Sequence, residues 1–453
     1  MRLVVRSLAF VLLIGFGSHA SAESKINRIR FSDTRLDNGL RIIIVEDHYA
    51  PIYAIAISYA VGSKDERPGR TGFAHLFEHM MFKGSENVGA GEHFFLIFNN
   101  GGNMNGTTNM DRTLYYEILP KNQLDLGLFL ESDRMRSLAI TKENLDNQRQ
   151  AVKEERRQSL DNQPYGRSNE RLTELAFDNF AYHHSVIGSM EDLDAASVED
   201  VQAFFRTYYA PNNAVMAIVG DVDTKDTLAK VQKYFGNIRR QDPPKSVDLA
   251  EPEMTAERRE TLEDKLARLP QLVIAYKIPS ATSADAPALS ALGSILGGGE
   301  TSRVYQKLVK EKEICSAAGA GSGARLGPGL FRINCTVRPG KTLDEAESLI
   351  SEEVAKMHAE PVTTEELTRV RTSARRSAVT LRESALSRAI SLADDAALYK
   401  DPDRINTLTE KLTAVTASDV QRVAKAYLNN NNRVVIRTVP AAPSAPAAKP
   451  AVR

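Results

Sequence analysis

The sequence has no excess of either charge: 58 lysines and arginines stand against 58 aspartates and glutamates, and no basic block stands out. The electrostatic footprint of a nucleic-acid binder is therefore missing. Beyond the first residues no apolar run is long enough to span a bilayer, which excludes a membrane span in the mature protein. Cysteine is scarce, with two residues in 453. Cys315 and Cys335 flank a glycine-rich stretch that can fold as a hairpin, so a cross-strand disulfide and two buried thiols both remain open. Neither cysteine stands near a histidine suited to catalysis with it.

What is present begins with Arg2 and Arg6, an apolar run from Leu8 to Phe16 and the small-residue pattern Ala20-Ser21-Ala22. This reads as a signal peptide over residues 1–22, cleaved after Ala22, and places the mature protein in the periplasm or outside the cell. A chain of 453 residues exceeds one ordinary core, so at least two domains are expected.

The chain also repeats itself. A first copy runs from an alternating strand at Leu40–Val45 through a strand at Ile52–Tyr59 and a helix around Phe73–Phe82 to a strand at Ala214–Gly220. A second begins near Glu260, with a strand at Gln271–Tyr276, a helix at Ala286–Ile295 and a hairpin around Gly319–Thr336. TKENL at Thr141 aligns with TTEEL at Thr363, and YYAPNNAVMAIVG at Tyr208 with YLNNNNRVVIRTV at Tyr427, both at offsets of about 220 residues. A period this long is a duplicated α+β domain and no solenoid. The division expected is 30–238, a Pro-rich linker at 239–260, 261–439, and a tail at 440–453 made almost entirely of Ala, Pro, Ser and Val, which cannot bury a core.

Chemistry concentrates in one helix. In His75-Leu76-Phe77-Glu78-His79 the two imidazoles and the carboxylate stand at i, i+3 and i+4 and share a face, with Leu76, Phe77, Met80 and Met81 around them. Thr71 is the expected N-cap and Gly84 the stop. Two histidines one turn apart can hold one Zn²⁺, and an adjacent carboxylate can act as general base. This is the inverted order of the HExxH arrangement. A third ligand is needed, and the helix after Thr141 offers Glu143, Glu154 and Glu155; Glu155 shares a face with Leu145, Gln148 and Val152, whereas Glu154 points about 100° away.

These segments resemble the inverzincin peptidases related to pitrilysin, insulin-degrading enzyme and mitochondrial processing peptidase. HLFEHMMFKGS at His75–Ser85 is similar to that family's metal helix, and NQRQAVKEERR at Asn147–Arg157 to the segment supplying its glutamate ligand, which falls on Glu155, 76 residues beyond His79. The resemblance covers nearly the whole mature chain. It implies two homologous α+β domains, each a mostly antiparallel sheet covered by helices, forming half of a clam-like chamber. It further implies a zinc endopeptidase with His75, His79 and Glu155 as ligands, one zinc per chain, Glu78 as base, and an extended peptide added along Asn105-Gly106-Thr107-Thr108.

Two departures stand out. The second half carries no His or Glu on its matching helix, and the counterpart of Glu155 falls near Ser377, so that domain is expected to be inactive. Many family members place an Arg and a Tyr seven residues apart in this half to hold the substrate carbonyl, and Val309 and Ser316 occupy those positions. The resemblance therefore implies a related metal-free partner subunit, with a homodimer as the alternative. Gln148 stands where some relatives carry a glutamate. A non-catalytic peptide-binding subunit is the competing reading, and an intact motif argues against it. His48, His93, His183, His184 and His358 read as surface or packing residues.

Overall fold

Residues that alternate or run apolar form the strands, and the computed structural model describes residues 26–442. The signal-peptide reading lies outside them. The first sheet has six strands in the order β1-β2-β6-β3-β5-β4, where β1 is Ser32–Arg35, β2 Arg41–Glu46, β3 Ile52–Tyr59, β4 Asn103–Thr108, β5 Thr113–Pro120 and β6 Ala214–Gly220. The second has five in the order β7-β11-β8-β10-β9, formed by Arg258–Asp264, Gln271–Ile278, Cys315–Gly323, Gly329–Val337 and Arg433–Pro440 for β7 to β11. In each sheet one pair is parallel, β2 with β6 and β7 with β11, and the remaining neighbours are antiparallel. Renumbering β2 to β6 as β7 to β11 reproduces the second order from the first, so the duplication is written in the topology as well as in the sequence.

Local chemistry repeats too. Thr141 caps the helix Lys142–Arg156 by accepting from Asn144 N–H, and Thr363 caps Thr364–Glu383 by accepting from Glu366 N–H. The aligned TKENL and TTEEL segments thus open their helices with the same side-chain N-cap.

Five helices of the first half matter here: α1 (Phe73–Met80), α2 (Glu92–Asn99), α3 (Leu124–Ser137), α4 (Lys142–Arg156) and α5 (Gly166–Ala176). One face of the first sheet, with Ile42, Ile44, Ile55, Ile57 and Tyr115, packs on Phe77, Met80, Leu128 and Leu145 in a single core. The opposite face is covered from the other half of the chain. There, α6 (Ala385–Leu398) lays Ala389, Leu392, Ala393 and Ala396 on Ile43, Ala54, Ala56 and Ala217. The exchange is reciprocal: α5 and the residues after it place Leu172, Ala176 and Phe177 on Val273, Ala275, Val434 and Ile436 of the second sheet. Ser58 Oγ donates to Asp394 Oδ1 at 2.8 Å and Arg112 Nε to Asp394 Oδ2 at 3.1 Å, adding polar ties across the same boundary.

Two sequence boundaries shift, and one open alternative is decided. Residues 258–260, assigned to the linker, begin β7, and the stretch before them is tied down, with Glu251 accepting from Asp178 N–H at 2.7 Å and pairing with Lys277. Pro440, assigned to the tail, closes β11, and Ala441 N–H donates to Asp264 O at 3.0 Å because the parallel ladder with β7 extends that far. Cys315 and Cys335 form a disulfide across the β9–β10 hairpin, with Cα atoms 5.9 Å apart. Among the described residues no helix is long and apolar enough to cross a membrane.

Candidate metal centre

α1 starts differently from the expectation. Its N-cap is Gly72, whose φ of 82° is left-handed and favours glycine, and Thr71 does not cap. The Thr71 hydroxyl instead donates to Asp192 Oδ2 at 2.6 Å, and its N–H donates to the same oxygen at 2.9 Å. The cap is supplied from outside the helix by Glu66, which accepts from Gly72 N–H at 2.9 Å and Ala74 N–H at 2.7 Å. A buried carboxylate therefore sits at the positive end of the helix. The helix ends at Met80, and Gly84, with φ of 100°, turns the chain a few residues later.

The three side chains singled out as ligands converge. His79 Nε2 stands 3.3 Å and His75 Nε2 3.6 Å from the same oxygen of Glu155, Oε2, and one ligating atom from each of the three lies within 4.8 Å of the others. Donors about 2.1 Å from a tetrahedral ion stand roughly 3.4 Å from one another, so this donor set fits a zinc ion. Burial, with His79 next to it, pushes the His75 pKa down to about 4, which keeps the imidazole neutral as a ligand requires. The hydrogen bond with His79 holds the Glu155 carboxyl below its ordinary range. Glu154 turns outward to Arg157 and Gln158.

Glu78 lies between this cluster and the edge of the sheet. Its Oε2 accepts from Thr108 Oγ1 at 2.6 Å, and burial raises its pKa while that bond lowers it. A Cβ added to Gly106 would come within 3.0 Å of Glu78 Cγ. Glycine at this position lets β4 approach the helix.

β4 is the last strand of its sheet, so one side of it is unpaired. Asn109 N–H donates to Arg112 O at 3.0 Å. Alternation along the antiparallel ladder then assigns Thr107 and Asn105 to the bonded pairs with β5, leaving the backbone groups of Gly106 and Thr108 facing outward. Gly106 N–H is met by the Asn105 side chain at 2.9 Å, and Thr107 is bonded by Arg112. Of the four expected peptide contacts, Gly106 and Thr108 adjoin Glu78, and Asn105 and Thr107 point to the opposite face.

In the second half Val309 is packed in the core, and Ser316 Oγ donates to Thr336 O at 3.2 Å. Ser377 lies on the helix Thr364–Glu383 that matches α4. Of the histidines set aside, His48 pairs with Asp221 at the surface, His183 bonds Phe177 O and His358 bonds Ala424 O. His184 is partly buried, 3.6 Å from Glu66. His93 is a core residue beside Glu117 and Glu131, a cluster that sequence reading missed because one charge in the strand TLYYEILP looks solvent-facing.

The fold and the H-x-x-E-H helix within it define a two-domain α+β protein of the metallopeptidase class. The family description "Insulinase (Peptidase family M16)" matches residues 41–189, and "Peptidase M16 inactive domain" matches 195–374. The chain belongs to peptidase family M16. It is 28% identical over 436 residues to "Zinc protease PqqE" of Helicobacter pylori, covering 95% of this chain and 97% of that one. An uncharacterized zinc protease of Streptomyces coelicolor is 24% identical, over 87% of this chain and 86% of its own. The crystal structure of a protease from Helicobacter pylori matches with a TM-score of 0.87 at 27% identity, covering 91% of this chain and all of that chain.

Proposed function

We propose that the chain is a zinc-dependent endopeptidase acting on extended peptides or small unfolded proteins, with His75, His79 and Glu155 holding one zinc and Glu78 as general base. The observation that carries this reading is the convergence of two imidazole nitrogens on one Glu155 oxygen, at 3.3 and 3.6 Å, beside the partly buried Glu78. The membership of a family whose relatives are named zinc proteases supports it.

When bound, zinc polarises a carbonyl oxygen and acidifies water. Glu78 Oε2 is occupied by Thr108, so Oε1 is the atom that takes the water's proton and passes it to the leaving amine. A peptide laid along β4 bonds the outward backbone groups at Gly106 and Thr108, with Asn105 and Thr107 lining the same edge; main-chain pairing of this kind is tolerant of side-chain sequence.

The domains run 30–238 and 258–440, joined by 239–257, and the second closes a chamber over the first. Since Val309 and Ser316 offer no donor to a developing oxyanion, that donor comes from a related, metal-free subunit, or from a second copy of this chain. The protein works after export, in the periplasm or outside the cell. The buried Val309 and the bonded Ser316 are also what favours the second reading, a non-catalytic peptide-binding subunit.

The test is cleavage of a quenched fluorescent peptide by the mature chain, alone and mixed with a co-encoded homologue, beside Glu78→Gln. Activity in the mixture that vanishes with Glu78→Gln is expected. Equal cleavage by the variant, or none under any condition, transfers the assignment to the binding subunit.

A further inference from the structure

Four ionisable side chains with no part in the proposed chemistry meet inside the first half of the chain. His93 from α2, Glu117 from β5, and Glu131 and Arg134 from α3 are 3%, 0%, 1% and 2% exposed. Arg134 and Glu131 form a two-pronged pair, Nε donating to Oε2 at 3.0 Å and Nη2 to Oε1. The same guanidinium lies over the Tyr115 ring at 4.6 Å and the Phe82 ring at 5.1 Å. Phe82 in turn is one of the atoms nearest to Gly106 on the candidate peptide edge, 3.3 Å from where a Cβ would stand.

Glu117 has no countercharge of its own. Both its carboxyl oxygens are buried without a hydrogen-bond partner, as are His93 Nε2 and Arg134 Nη1. His93 Nε2 faces Glu117 Oε2 at 3.8 Å, just beyond direct hydrogen-bond distance. The Tyr53 hydroxyl from β3 adjoins the same carboxyl but donates to Gln123 O at 2.8 Å. Gly127 makes the room, since a Cβ there would fall 2.4 Å from Glu117 Oε1 and 2.5 Å from the Tyr53 oxygen.

Charge decides what fills this cluster. Glu131 and Arg134 cancel, so an ionised Glu117 would be a lone buried carboxylate, which is costly. A dication on the three ligating groups would leave the cluster positive beside a buried guanidinium. One proton leaves it neutral.

We propose that Glu117 is carried as a neutral carboxylic acid whose proton is directed at His93 Nε2. The four side chains are then a net-neutral polar core that positions the Phe82 and Tyr115 rings behind Glu78. Glu117 is a positioning residue, acting through Arg134. Burial first, and then repulsion from Glu131, raise its pKa well above the carboxylate range, while burial and Arg134 push His93 well below its own, leaving the imidazole an acceptor. The inference stands apart from the metal reading and holds whether or not zinc binds at His75 and His79.

An acid whose folded pKa is raised contributes stability below its ordinary range and loses it as pH climbs toward the folded value. Glu117→Gln removes that loss and keeps the shape. Its Tm should match or exceed the wild type, with the margin widening as pH rises from the ordinary carboxylate range to neutral. The infrared difference spectrum, wild type minus Glu117→Gln at neutral pH, should carry the C=O stretch of a protonated carboxylic acid. In Glu131→Gln the same band should vanish, because Glu117 then ionises to pair with Arg134. A carboxylate band in the first difference spectrum, or a Gln variant less stable than wild type at neutral pH, overturns the proposal. So does a second equivalent of metal that disappears with Glu117→Gln while the first remains.

Discussion

Thr108 Oγ1 donates a 2.6 Å hydrogen bond to Glu78 Oε2, joining the edge strand β4 to the helix that carries both candidate histidines. Burial and this bond act on Glu78 in opposite directions, burial raising its pKa and the bond lowering it. A general base works ionised, so removing the bond raises the pKa further and withdraws activity from the acidic side. Thr108→Val should shift the acidic limb of the kcat/KM profile to higher pH. An unshifted limb would separate Glu78 from the base role.

Glu66 holds the start of the same helix through two backbone N–H groups. Glu66→Ala strands both donors in a buried place and should cost about 2–4 kcal/mol. Glu66→Gln, which keeps an acceptor oxygen, should cost less. Denaturant midpoints of the two variants measure this, and equal stability of all three proteins would remove Glu66 from the capping role.

The halves are braced by exchanged helices rather than by a linker alone. Without α6, residues 30–238 leave the Ile43, Ala54, Ala56 and Ala217 face of the first sheet bare. That fragment should be insoluble when produced alone, and the full chain should unfold in a single calorimetric transition. A soluble fragment with the native circular dichroism would show that the exchange contributes little.

His75 Nδ1 is buried without a hydrogen-bond partner, and Gln148 is buried on the α4 face that also carries Leu145 and Val152. A ligating histidine is usually oriented by an acceptor on its other nitrogen. Gln148→Glu supplies a carboxylate on that face and should tighten metal binding roughly tenfold, as read by competition with a chelator. Unchanged or weaker affinity would mean that the two side chains are not coupled.

Much of this was legible in the chain itself. The strands at Leu40–Val45 and Ala214–Gly220 are read from the sequence, the first as an alternating one, whereas the structure buries both of its faces because it lies inside the sheet. The spacing of His75, Glu78 and His79 announces a shared face, and the period of α4 selects Glu155 over Glu154. What escaped did so for physical reasons. An apolar helix stripe states that something covers it but not what, so the exchange of α5 and α6 could not be read. The α1 cap was misassigned to Thr71 because the carboxylate that serves it, Glu66, is six residues before Gly72 in sequence and reaches it only through the fold. Glu117 alternates correctly for its strand, and only the structure shows that its face of β5 lies under α2 and α3.

The most direct test of the account is the zinc content of the purified mature chain, compared with His79→Ala, Glu155→Gln and Glu154→Gln. One zinc per chain is expected in the wild type and in Glu154→Gln, with loss in His79→Ala and at least roughly tenfold weaker binding in Glu155→Gln. A wild type that holds no zinc after dialysis against it, or a Glu155→Gln variant that binds as tightly as the wild type, would contradict the assignment of His75, His79 and Glu155 as the metal centre.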